Sequence, residues 1–334
     1  MVLIAHSNAI LDPASLKFYL GGLGVKFFFV ISGFLITSLL LREFSEHGRI
    51  DVRSFYVRRA FRILPVYYAY LIVCFLLRSE YPPGQSPSQW LANILFLTNY
   101  TEAAWITGHL WTLGVEEQFY LLWPLLFCWC KGREKMLIGV LAFAIAVCPL
   151  ARGASYLLGS SSSAVVLNRF SFVMQADVLA VGCLAAVVIW FRPHLIQWVQ
   201  KYYVLCSVVG LGAVCAFRLI PTIPGLNLVR VPLGLTLEAI GFVLMMLASF
   251  FRTDWIVFRT LNFKPVVWMG ILSYSIYIWH VLLSPPAWQG RETWFSPILS
   301  NPLWMLGSIG IAAISYCFLE RPFLALRKRF TTHR

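Results

Sequence analysis

Apolar residues in this chain fall into long unbroken runs separated by short polar, often basic, segments. Nine runs, at about 22–41, 61–78, 109–130, 136–151, 169–191, 202–217, 230–251, 265–284 and 301–319, are read as membrane-crossing helices, which need about 20 mostly apolar residues. A further run, MVLIAHSNAIL at 1–11, covers about 16 Å of helix, roughly half of a hydrocarbon core. A half-helix leaves its ends unsatisfied in lipid, so the expectation is that it is completed upstream of Met1. The fold class expected is an all-α polytopic membrane bundle of about ten transmembrane helices, the first truncated at its N-terminus. It would form a single integral-membrane domain over 1–334, without a separate soluble domain.

Composition agrees with this pattern. Of 334 residues, 59% are hydrophobic and 12% charged, and mean hydropathy is +0.74, whereas soluble domains carry about 25% charged residues. The net charge of +13 would point to nucleic acid in a soluble protein; here the charges lie between the apolar runs. Nineteen of the 27 Lys and Arg residues fall in 42–62, 131–135, 192–201, 252–264 and 320–334, against eight on the opposite side. By the positive-inside rule those segments are cytoplasmic, and ten helices would then place both termini inside. The eight cysteines are scattered through apolar runs with no zinc-ligand spacing and read as small buried hydrophobes.

Candidate chemistry starts with residues 109–124, HLWTLGVEEQFYLLWP, which set Glu116 and Glu117 inside an apolar run. An intramembrane carboxylate is costly to keep and is by default a functional hypothesis. Glu116, Phe119, Tyr120 and Trp123 fall at i, i+3, i+4 and i+7 and share one helix face; His109 joins that face if the helix begins early enough. Arg53, Arg58, Arg59 and Arg62 crowd the start of the second full span. They are either topogenic charge or an anion site, since guanidinium forks match phosphate oxygens bidentately.

His6 and His280 each lie inside an apolar run. A lone membrane histidine serves packing more often than catalysis, but imidazole is also the usual base for a hydroxyl. Ser32 stands beside Gly33 in FFFVISGFLIT, where glycine permits close helix approach; there is no nucleophile elbow around the serine. Asp177 and Glu238 are further single intramembrane acids, and Arg169 is a distant candidate partner for Asp177.

Together these pieces resemble the acyltransferase-3 family of multispanning membrane O-acyltransferases, which acylate extracytoplasmic sugars and related acceptors. The motifs run in order over nearly the whole chain. They are His6, GVKFFFVISGFL (24–35), FYVRRAFRILP (55–65), HLWTLGVEEQFYLLWP (109–124), SYSIYIWH (273–280) and ERPF (320–323). The resemblance implies transfer from cytoplasmic acyl-CoA, most simply acetyl-CoA, to a hydroxyl of a cell-surface polysaccharide, glycolipid or similar acceptor. It implies that His6 is catalytic and that Arg59 and Arg62, with Arg58 beside them, serve the donor. Glu116 or Glu117 would orient or charge-stabilise the imidazole, as a carboxylate does in a catalytic triad. Direct transfer and an acyl-histidine intermediate both stay open.

Ser32, His109, Trp111, Tyr120, Tyr274, His280 and Glu320 are the expected pocket or supporting residues. No metal and no bound cofactor are expected, because a thioester is already activated, and acyl-CoA is a co-substrate. Nucleic acid is not an expected partner. The expected location is a bacterial inner membrane with the C-terminus cytoplasmic. The family carries a basic residue eleven positions before its first-helix histidine, where this chain has five residues, and only 14 residues follow Glu320, as in a stand-alone membrane form. Two alternatives remain: a transporter or flippase of lipid-linked sugars using the same buried charges, and an inactive, N-terminally truncated relative.

Overall fold

The computed structural model describes residues 3, 14–78, 84–102, 104–158, 170–219, 226–284 and 303–331, and every regular element among them is helical. The principal helices are α1 (Ala14–His47), α2 (Val52–Leu76), α3 (Pro87–Ile94), α4 (Trp111–Cys130), α5 (Glu134–Leu157), α6 (Phe172–Phe191) and α7 (His194–Lys201). They continue with α8 (Tyr203–Leu219), α9 (Asn227–Phe251), α10 (Lys264–Ile271), α11 (Ser273–Leu283), α12 (Leu303–Ser315) and α13 (Arg321–Thr331). A π-helical segment, Tyr316–Glu320, lies between α12 and α13.

Each of the nine runs read as a span falls on helix, but not every run is one straight rod. Six helices are long and apolar enough to cross a membrane, and up to eight if each of two bent pairs is one span. The bent pairs are α7 with α8, at 82°, and α10 with α11, at 73°. The expected count of about ten is therefore not reached among the described residues. Helix α4 stays outside that set because Glu116, Glu117 and Gln118 lower its hydropathy, although it is apolar round its whole circumference. Phe119, Tyr120, Trp123 and Phe127 are buried, while Leu121, Leu122, Leu125 and Trp129 are exposed. Apolar side chains on the outward face suit a lipid surround and not water; this is an integral membrane protein.

By its contacts the chain divides into two compact units. The first comprises Met1–Val25, Asp51–Gly114 and Phe263–Arg334. Tyrosine hydroxyls that cap backbone carbonyls hold it together. Tyr67 donates to Asn93 O (2.6 Å), Tyr70 to Ile106 O (2.6 Å) and Tyr274 to Ile63 O (2.8 Å). Each phenol buries its ring and still satisfies its O–H, which a dry interior demands. Asp51 caps α2 by accepting from Ser54 N, and α3 opens with a Ser86–Gln89 capping box and Pro87 in its first turn, the favoured start signal. Leu272 and Ile276 pack on Ala312, joining α11 to α12.

The second unit comprises Lys26–Ile50 and Val115–Asn262. Its buried positions on α1, among them Phe29, Val30, Ile36, Thr37, Leu40 and Leu41, recur at helical spacing and mark one packing stripe. Gly33 sits in that stripe. A Cβ on Gly33 would strike the Leu179 carbonyl of α6, and a Cβ on Gly182 would strike the Val30 carbonyl of α1. The two glycines are thus reciprocal, each admitting the other helix's backbone, as small residues do in membrane helix packing. Gly210 of α8 and Gly241 of α9 repeat the device: a Cβ on either would lie 2.7 or 2.6 Å from the other's carbonyl oxygen. The α4–α5 turn uses left-handed backbone at both Lys131 and Gly132 (φ 51° and 63°).

Substituting Gly182→Ala or Gly33→Ala should destabilise the protein by about 1–3 kcal/mol, because backbone must move to admit the methyl. Gly139→Ala, on an outward position with open space around it, should not lower the melting temperature. Thermal unfolding of the purified protein in detergent reads both; equal effects at the two kinds of site would contradict the crossing.

Candidate active site

Helix α4 presents the expected face. Glu116 is 3% exposed, and Phe119, Tyr120 and Trp123 are buried with it, as their i, i+3, i+4 and i+7 spacing requires. One Glu116 oxygen, Oε1, accepts from Ser32 Oγ (2.6 Å) and from Tyr120 OH (3.2 Å). One helical turn further, Trp123 Nε1 donates to Thr37 Oγ1 (2.9 Å), so α1 and α4 are stitched together twice. A buried carboxylate persists only when hydrogen-bonded, and here two hydroxyl donors hold one of its oxygens. That arrangement can orient or charge-stabilise a protonated group brought against it. Ser32 is thus a ligand of the carboxylate.

Glu117, half-buried, projects about 100° round the helix from Glu116. Trp111 is half-buried in the first turn of α4. The helix begins at Trp111, two residues after His109, so the condition under which His109 would extend the Glu116 face is not met. In the first unit, His109 Nε2 pairs with Ile278 O (3.1 Å), and its ring centre lies 5.4 Å from that of His280. Tyr277 OH donates to His109 O (2.8 Å) and pairs with Thr112 Oγ1 (2.7 Å). His280 is fully buried, with Nδ1 2.7 Å from Tyr277 O. Tyr70 and Trp279 complete an aromatic surround, Tyr70 lying edge-on to both Trp279 and His109. The Trp279 indole N–H is buried with no hydrogen-bond partner among the described residues. Sequence reasoning named His109 and His280 but missed that they form one cluster with Tyr277.

Tyr274 ties α11 to α2 through its bond to Ile63 O. Glu320, buried at the end of the π-helical segment, accepts from Ser275 and lies within electrostatic reach of Arg62. Arg58 and Arg59 are half-buried on α2 and Arg62 is exposed; the Arg59 guanidinium sits 5.7 Å from the Phe55 ring centre. His6 lies outside the described residues.

One buried and one part-buried ion pair in the second unit change the reading of the remaining acids. Asp177 is fully buried and its partner is Arg152 of α5, in place of the Arg169 considered from sequence. The pairing is bidentate, at 2.8 and 2.7 Å. The guanidinium also donates to Met174 O, to Pro232 O and to Thr236 Oγ1, and Thr236 in turn donates to Asp177 (2.5 Å). One arginine therefore ties α5, α6 and α9. Arg152 lies just beyond the apolar run that ends at 151, where the helix continues to Leu157. Lys26, inside the apolar run 22–41, pairs with Glu238 at 2.6 Å. Among the described residues no group of three or more His, Cys, Asp or Glu could hold a metal ion.

Comparison with known proteins decides the family. The acyltransferase-3 model, described as an acyltransferase domain, matches residues 1–320. The chain belongs to the acyltransferase-3 family. Peptidoglycan O-acetyltransferase OatA of Listeria monocytogenes is similar at 25% identity over 328 residues, covering 90% of this chain and 51% of the relative. O-acetyltransferase OatA of Staphylococcus aureus is 26% identical over 355 residues, covering 96% and 54%. The putative peptidoglycan O-acetyltransferase YrhL of Bacillus subtilis is 23% identical over 361 residues, covering 94% and 53%. The chain spans about half the length of these curated relatives. No solved structure matches it. Within this acyltransferase-3 chain, Glu116, Ser32, Tyr120, His109, His280 and the arginines of α2 all fall inside the matched region.

Arg152→Met should cost about 3–5 kcal/mol by stranding Asp177 as a buried charge, and adding Asp177→Leu should restore most of that loss. Ser32→Ala, which removes one donor from Glu116, should cost about 1–3 kcal/mol. A thermal-unfolding double-mutant cycle checks the first expectation; strict additivity of the Arg152 and Asp177 effects would refute it.

Proposed function

We propose that this chain is a membrane O-acyltransferase of the O-acetyl type, taking its acyl group from cytoplasmic acyl-CoA and delivering it to a hydroxyl of a cell-envelope glycan. The family match over residues 1–320 carries the reading, and the printed names of the relatives make peptidoglycan the first acceptor to try. The chain acts as one integral-membrane domain with about ten spans and a cytoplasmic C-terminus, in a bacterial inner membrane.

In this mechanism His6 takes the proton from the acceptor hydroxyl as its oxygen attacks the thioester carbonyl carbon. The tetrahedral intermediate collapses with cleavage of the C–S bond, and the departing CoA sulfur receives the proton from the imidazolium. Glu116, already held by Ser32 and Tyr120, stabilises the imidazolium that forms between the two steps, in triad logic. Glu117, Trp111, His109 and His280 line or support the acceptor path. Arg58, Arg59 and Arg62 hold the donor phosphates, and a forked guanidinium is the side chain best matched to that anion. The saturated bonding of Arg152 and Asp177 favours a fixed structural role for that pair over the moving charges that a flippase of lipid-linked sugars would need.

Membranes carrying the protein, incubated with acetyl-CoA labelled in the acetyl group, should transfer label to cell-wall glycan. His6→Ala should lower the rate about 100-fold or more, Glu116→Gln should lower it less, and Arg59→Ala should raise the KM for acetyl-CoA. Transfer that survives His6→Ala unchanged would rule out the mechanism, and no transfer from a well-folded protein would return the chain to the inactive or transporter readings.

A further inference from the structure

In the second unit, α7 meets α8 at 82°. Where α8 crosses the bilayer, a helix at that angle lies along the membrane surface. The sequence of α7 suits such a place. Val199 is buried and Leu195 and Ile196 are half-buried, at i, i+1 and i+4, and α7 packs on α9. Gln197, Gln200 and Lys201, at i, i+3 and i+4, share an exposed polar face. Aromatic rings gather at the corner. Trp198 lies 5.3 Å from Tyr202, Tyr203 lies 5.2 Å from Trp255, and Trp255 lies 4.9 Å from Phe258. The elbow is thus joined to the segment that follows α9. Two cations rest on these rings: Lys201 Nζ is 5.2 Å from the Tyr202 ring centre, and the Arg252 guanidinium is 4.7 Å from that of Tyr203.

The protein does not neutralise these charges. Arg192, just before α7, is paired with Glu134, but among the described residues no carboxylate lies within ion-pair distance of Lys201. Arg252 meets Asp254 at 3.0 Å, and that carboxylate is 69% exposed, so the pair is screened and weak. The Arg252 Nε has no hydrogen-bond partner among the described residues, in contrast to the saturated guanidinium of Arg152. Arg259, exposed nearby in the chain, adds further positive charge. We propose that this elbow binds the headgroup of an anionic phospholipid, with Lys201 and Arg252 meeting its phosphate and Trp198 and Tyr202 lying at the level of its glycerol. Trp and Tyr favour that level of a membrane. Exposed apolar side chains adjoin the cations, Val204 and Leu205 on α8 and Ile256 and Val257 after α9, and acyl chains would cover them. A small soluble anion would leave them bare. The Lys and Arg asymmetry of the chain puts 192–201 and 252–264 on the side read as cytoplasmic, where an anionic leaflet attracts basic residues beside a span. Charge that served topology alone would need no seat on aromatic faces, where a cation is held and partly desolvated.

The test titrates the full chain, purified in neutral detergent, with phosphatidylglycerol or phosphatidylcholine and counts retained lipid by native mass spectrometry. The wild-type protein should retain phosphatidylglycerol in clear preference to phosphatidylcholine. Lys201→Gln and Arg252→Gln should each weaken phosphatidylglycerol binding about fivefold, and Arg252→Lys should keep most of it. The double variant Arg133→Gln, Lys135→Gln removes two exposed charges elsewhere in the same unit and should leave the preference unchanged. An equal loss in that control would show diffuse attraction by net charge and overturn the inference. Equal retention of the two lipids by the wild-type protein would overturn it as well. Competition by glycerol 3-phosphate at concentrations comparable to the lipid would assign the elbow to a soluble anion, with the same consequence. Should Arg252→Gln lower the melting temperature, Lys201→Gln decides the matter alone, because Lys201 is exposed and its loss leaves the packing intact.

Discussion

Lipid offers a polar group no partner, and most of what is particular about this chain follows from that constraint. A carboxylate, guanidinium or peptide carbonyl inside the hydrocarbon is kept only where the protein completes its bonds. The Arg152 guanidinium meets this demand fully, dividing its donors among a carboxylate, a hydroxyl and backbone carbonyls on two helices. Two of the helices it joins contain internal prolines, Pro149 in α5 and Pro232 in α9, and the Pro232 carbonyl is itself one of its acceptors. Buried charge of this kind fixes geometry at no gain in stability over a well-packed apolar alternative.

The Glu116 site inherits its position from a different element of the same unit. Gly33 and Gly182 let α1 and α6 approach until backbone meets backbone, and that crossing sets where α1 can lie. Ser32, one residue from Gly33, then reaches Glu116, and Thr37, one turn on, reaches Trp123. Two side-chain bonds of ordinary length are thus held by a contact in which no side chain takes part. The first unit is organised otherwise, by phenol groups that cap carbonyls (Tyr67, Tyr70 and Tyr274) and by the imidazole pair of His109 and His280 packed among aromatic rings.

What could be read from the chain alone was what depends on local period and length. The apolar runs gave the helices, because a membrane helix must satisfy its own backbone and so announces itself by composition. The 3.6-residue period gave the buried face of α4, since Glu116, Phe119, Tyr120 and Trp123 are neighbours on any helix. Glycine beside Ser32 gave a close approach, since no other residue makes one so cheaply. The family followed from motifs that are short and local.

What the chain alone did not determine were the partners. Sequence offered Arg169 only as a distant candidate for Asp177; the bundle brings Arg152 to it from another helix, one residue past the apolar run that ends at 151. Lys26 and Glu238 stand 212 residues apart, and Ser275 and Glu320 lie on different elements; neither pair has a sequence signature. His109 would share the Glu116 face only if the helix began early enough; the helix starts after it, and hydrogen bonds join His109 to Ile278 and Tyr277. Periodicity is a property of one helix and is written in the sequence; which helix lies beside it is settled by the sum of many weak contacts, and only the tertiary structure records that sum.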